Sequence, residues 1–98
     1  MSTPPMFKFC LYVAGDTQNS AQARVNLTAL CRAHLLDRHE IETIDVFREP
    51  ERAMADGIFM TPTLIKLAPA PVCRIVGSLS DSQATLRALG VEFRTQAV

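Results

Sequence analysis

Three cysteines, Cys10, Cys31 and Cys73, are the residues of this 98-residue chain most suited to covalent chemistry, and their setting argues against it. A thiol attacks or ligates as a thiolate, which needs a helix N-terminus, a cationic neighbour, a metal or a nearby second cysteine. Each of the three stands among apolar neighbours, their number is odd, no Cys-x-x-Cys pair occurs, and no histidine lies at ligand spacing. This excludes a disulfide framework, disfavours zinc and reads as three small buried hydrophobes. The polar stretch Asp16-Thr17-Gln18-Asn19-Ser20 carries Thr17 and Ser20 at the spacing of a redox cysteine pair, but hydroxyls cannot cycle through a disulfide. Of the two histidines, His34 suits a helix C-terminal cap and His39 a solvated connection.

The elements that must position these groups follow from periodicity. Phe7 to Val13 is aromatic and β-branched with little polar alternation, as in a central strand covered on both faces. Asn19 stands three residues before Gln22 like a capping box, opening a helix to about Asp37 whose stripe Ala23, Leu27, Leu30, Cys31 and Leu35 packs on the sheet. Ile41 to Phe47 reads as a second strand with Asp45 its awkward member, and Pro50 to Gly57 as a short helix. Pro62, held between Thr61 and Thr63, cannot donate to a ladder and begins a strand through Leu67. Pro69-Ala70-Pro71 is a stiff turn into a returning strand, Val72 to Val76, and Ser80 with Gln83 opens a last helix to Gly90.

Hydrophobic content of 48% and this length suit one domain with one core, spanning 1–98 with a frayed tail over 91–98. Ten basic residues against ten acidic ones leave no electrostatic argument for nucleic acid or an anionic membrane. The apolar runs are short of a membrane span and the first five residues lack a secretion signal, so the expected location is cytoplasmic. The resulting order, β-α-β-α-β-β-α, resembles the thioredoxin-like α/β arrangement of two parallel strands and a hairpin with helices on both faces. In that fold a Thr-Pro at the position of Thr61-Pro62 carries a cis peptide bond facing the loop before the first helix.

A closer resemblance covers Lys8 to Leu89. Leu11 to Ser20, Ile44-Asp45-Val46, Thr61-Pro62-Thr63-Leu64, Pro69 to Val72 and Gly77-Ser78-Leu79-Ser80 resemble, in order and spacing, the KaiB family of the bacterial circadian oscillator. The resemblance implies a non-enzymatic module, without cofactor or metal, that binds the N-terminal ATPase ring of a KaiC-type hexamer and modulates its phosphorylation cycle. It also implies KaiA or a KaiB-like sensor kinase as further partner or competitor, a homodimer or homotetramer, and fold switching in which the second half, from about Pro50, is rebuilt. The expected partner-binding residues are Thr17, Asn19, Arg24 and Asn26. The expected conformational residues are Pro62, Pro69, Pro71, Ala88 and Gly90; the last two replace a frequent Gly and Asp of the family, and Ala88 favours helix and hence the thioredoxin-like state. The alternative is a glutathione-binding or redox enzyme of the thioredoxin-like superfamily, in which Ser20 or Thr17 activates the thiol, Thr63 supplies backbone bonds and Ser80-Asp81 holds the γ-glutamyl end.

Overall fold

The computed structural model describes residues 5–91, and its sheet is built around the most apolar strand of the chain. β1 (Phe7–Val13) is flanked by parallel β2 (His39–Asp45) and antiparallel β3 (Thr63–Ala68), and β4 (Cys73–Val76) extends β3, giving the order β2-β1-β3-β4. The register sets Tyr12 opposite Ile44 on one side and Thr63 on the other. Alternation along β1 then decides two cores. Phe7, Phe9, Leu11 and Val13 face one, with Ala23, Leu27, Leu30 and Cys31 from α1 (Gln18–His34) and Leu86 and Leu89 from α3 (Ser82–Leu89). Cys10 and Tyr12 face the other, with Ile44, Ile65 and Ala53 of α2 (Pro50–Ala55). The arrangement is the expected thioredoxin-like one, with helices on both faces, and the predicted helical stripe, Leu35 included, is buried throughout.

Several boundaries differ from the sequence reading, each for a local reason. α1 starts earlier: Thr17 is its N-cap residue, without a side-chain cap bond, and exposed Asn19 lies inside the first turn. It also stops at His34 rather than Asp37, because Leu35 leaves the helical conformation at φ −131° and Asp37 takes a left-handed φ of 62°. The free carbonyls at this end are met by Arg38, which donates to His34 O at 3.2 Å, and by His39, whose Nδ1 lies 2.8 Å from Leu35 O. The capping histidine is thus His39, expected to be solvated, while among the described residues His34 makes no side-chain bond.

β2 ends at Asp45, leaving Phe47 73% exposed, because the Asp45 carboxylate accepts from Phe47 N at 2.9 Å and ends the ladder. α3 is capped by Asp81, not Ser80: its carboxylate accepts from Ala84 N at 3.0 Å. At the other end Gly90, at φ 73°, forms the left-handed cap that terminates the helix after Leu89. Thr61-Pro62 is cis as in the family fold, and so are Ala68-Pro69 and Ala70-Pro71. Val91 is buried in the larger core, and the remainder of the expected frayed tail lies outside the described residues.

Lys66 was not singled out by sequence. It is buried on β3, where its Nζ donates to the Leu89 carbonyl at 2.9 Å and lies 5.9 Å from the centre of the Phe7 ring. A cation at the C-terminal end of α3 meets the negative end of the helix dipole.

Candidate partner-binding surface

The loop between β1 and α1 is fixed before any side chain on it can recognise anything. Ser20, fully buried, accepts from Ala14 N at 3.0 Å, Asp45 accepts from Gly15 N at 3.3 Å, and Phe47 lies 3.7 Å from where a side chain on Gly15 would begin. With Gly15 at φ 55°, a side chain there would be strained by the left-handed backbone, although Phe47 lies only at ordinary contact distance. Ser20 is therefore a fastener of the loop, and Asp81 is occupied as the α3 cap, so two groups the glutathione reading would use already have structural bonds. Thr63 is buried, and its hydroxyl donates to Met60 O at 2.6 Å.

The thiols follow the expectation of small hydrophobes in two cases of three. Cys10 and Cys31 are buried, and burial pushes both thiols up, Cys31 to about 11, so at neutral pH they are protonated and poor nucleophiles. Cys73 is half-buried on the edge strand, with its Sγ 3.5 Å from Ala88 O. Among the described residues no cluster of His, Cys, Asp and Glu has the geometry to hold a metal ion.

The four expected partner residues run from the N-cap of α1 to its midpoint, on two flanks. Residues seven apart on a helix are nearly two turns apart and share a side. Thr17 and Arg24 therefore stand on the flank towards the end of β2, and Asn19 and Asn26 on the opposite flank towards the connection into α3. Arg24 lines a depression of about 430 Å³ with Asp16, Asp45, Arg48 and Glu49, and its guanidinium is 4.0 Å from Asp16. Being largely solvated, that ion pair contributes little and leaves Arg24 available. Asn26 is committed differently: its Nδ2 donates to Ser78 O at 2.8 Å while its Oδ1 accepts from Gln22 at 3.2 Å, tying α1 to the loop before α3.

What the sequence reading missed is apolar. Phe59 is 94% exposed and Met60 63%, immediately before Thr61-Pro62, and they line a shallow groove of about 140 Å³ with Ile58, Arg74 and Val76. The available signal was two large apolar residues in a stretch to which no strand or helix laid claim. Of the conformational candidates, Pro62 is buried against the sheet, Pro69 is half-buried, and Pro71, Ala88 and Gly90 are exposed.

Comparison with known proteins adds identity to this geometry. Among solved structures, chloroplastic thioredoxin z superposes with a TM-score of 0.74 at 18% identity, covering 87% of this chain and 76% of that one. The N-terminal domain of Synechococcus elongatus SasA superposes with a TM-score of 0.72 at 17% identity, covering 100% of this chain and 93% of that one. At such identities the likeness is one of fold. The circadian clock protein KaiB3 of Synechocystis sp. is 40% identical over 81 residues, spanning 83% of this chain and 79% of that protein. The circadian clock oscillator protein KaiB of a Synechococcus sp. is 40% identical over 93 residues, spanning 95% and 84%. The family model described as the KaiB domain matches residues 10–91, and the chain belongs to the KaiB family.

Proposed function

We propose that the protein is a non-enzymatic clock regulator of the cytoplasm that binds the N-terminal ATPase ring of a KaiC-type hexamer and modulates its phosphorylation cycle. The observation that carries this reading is the KaiB domain match across residues 10–91, with clock proteins as relatives at 40% identity. Thr17 and Arg24 on one flank of α1, with Asn19 and Asn26 on the other, are the proposed contacts. The rigid loop beneath them is what a recognition surface needs, since donors held in place lose little entropy on binding. Arg24 is the strongest of the four, because its cation is exposed and only loosely paired. Asn26 acts by holding α1 against Ser78. KaiA or a KaiB-like sensor kinase is the proposed further partner or competitor, and homodimers or homotetramers belong to the same reading.

The test is co-elution of the purified chain with a KaiC-type hexamer and ATP, followed by titration with Arg24→Glu. The expected outcome is a complex for the unaltered chain and at least a roughly tenfold weaker one for the variant. A folded Arg24→Glu chain with unchanged affinity removes Arg24 from the site. Absence of any complex removes the reading itself.

A further inference from the structure

The helix on the smaller core is held down mainly by polar side chains from three strands. α2 has six residues and buries only Ala53, where α1 buries Ser20, Ala23, Leu27, Leu30 and Cys31. So short a helix has no stability of its own in water and depends on its attachments. From β2, Glu42 takes both arms of the Arg52 guanidinium, at 2.7 and 3.0 Å. From β1, the hydroxyl of fully buried Tyr12 donates to the Asp56 carboxylate and approaches Arg52 O at 3.4 Å. From β4, Arg74 reaches across to the carbonyls of Asp56 and Gly57, covering the C-terminal end of the helix. Beneath lies an apolar floor of Cys10, Ile44 and Ile65.

We propose that α2 is a latched flap, which opens as a local unit while the sheet, α1 and α3 stay folded, and that the Glu42, Tyr12 and Arg74 attachments set how often it opens. Segments with few buried apolar contacts occupy the low end of a protein's local stabilities. The latch gathers on α2 and the two residues that follow it, Asp56 and Gly57, so that loosening any one attachment bears on the same motion. Opening uncovers an apolar floor on the face opposite α1, independently of whether the clock partner is as proposed.

Cys10 is a built-in reporter, because it lies under α2 while Cys31 belongs to α1 and is buried in the larger core on the opposite face. The full-length chain is treated with 5,5′-dithiobis(2-nitrobenzoate) at neutral pH, and the rate at each cysteine is followed by peptide mass spectrometry. Where closing outpaces labelling, the rate tracks the population of the open form. In the unaltered chain Cys10 is expected to label faster than Cys31. Tyr12→Phe should raise the Cys10 rate roughly tenfold, and the surface variant Glu42→Gln, which does not threaten folding, should raise it roughly twofold, both with Cys31 unchanged. Equal labelling of Cys10 and Cys31, a parallel rise of both in the variants, or an unchanged Cys10 rate in both variants would overturn the flap.

Discussion

On one face of the sheet, α1 and α3 bring Ala23, Leu27, Leu30, Cys31, Leu86 and Leu89 against Phe7, Phe9, Leu11 and Leu64; on the other, α2 brings Ala53 alone, and Arg52, Tyr12, Asp56 and Arg74 supply much of the attachment. The first face is secured by removing apolar surface from water, a gain proportional to area and indifferent to pH. The second relies more on directional bonds that are partly exposed, individually weak and sensitive to charge. One sheet thus carries a rigid side, which presents Thr17 and Arg24, and a side that yields more readily.

The contrast is tested first where it should be largest. Leu27→Ala empties a fully buried position between α1 and the sheet and is expected to cost about 2–5 kcal/mol in urea unfolding. Ala53→Gly, the corresponding attack on α2, should cost about 1 kcal/mol, mostly backbone entropy. Equal costs would break the comparison. Next comes the α3 terminus: Asp81→Ala removes the bond to Ala84 N and should cost about 1 kcal/mol, with hydrogen exchange rising first at the start of α3.

Ala88→Gly sharpens the comparison further, since Ala88 is an exposed residue in the last turn of α3, next to its final residue Leu89. A loss of up to about 1 kcal/mol is expected from helix propensity alone. If the chain exchanges with a rebuilt second half, as the family resemblance implies, the same change should lower the thioredoxin-like population. Backbone NMR shifts over residues 80 to 89, read beside sedimentation, distinguish the two. Helical shifts that weaken without a new species confine the effect to α3, whereas strand shifts with a larger oligomer show exchange.

The smallest effect concerns pH. Hydrogen bonding to Arg52 holds the Glu42 carboxyl below its usual range. A carboxylate whose folded pKa is depressed contributes stability above its unfolded pKa and loses it as pH falls through the folded value. Acidification through the carboxylate range should therefore loosen α2 before α1, seen as faster exchange of the Ala53 amide, and Glu42→Gln should flatten that dependence. Because Glu42 is exposed, the change is expected to be small.

The element order was legible because each segment carries a period matching its environment: the Leu27, Leu30, Cys31 and Leu35 stripe of a one-sided helix, and the unbroken apolar run of a strand covered on both faces. Caps were less legible. Asn19, Ser80 and His34 all fit capping rules by residue type, yet Thr17, Asp81 and His39 stand at those ends, because neighbouring residues of similar chemistry compete and backbone geometry selects among them. Thr17, Asn19, Arg24 and Asn26 were readable as exposed polar residues near one loop. Their division between two flanks follows from where the buried stripe of α1 meets the sheet.

By itself, the sequence determined the thioredoxin-like order of strands and helices, the buried character of Cys10 and Cys31, and the five ordered blocks that resemble the KaiB family. Local periodicity and short motifs suffice for these, because each is a property of neighbouring residues. Only the tertiary structure decided that Tyr12 reaches Asp56, that Arg74 crosses from β4 to the end of α2, and that Lys66 caps α3 from inside the sheet. These partners lie 44, 18 and 23 residues apart in the chain. No short-range pattern encodes such pairings, which exist once the strand register has brought distant polar groups to the same helix end.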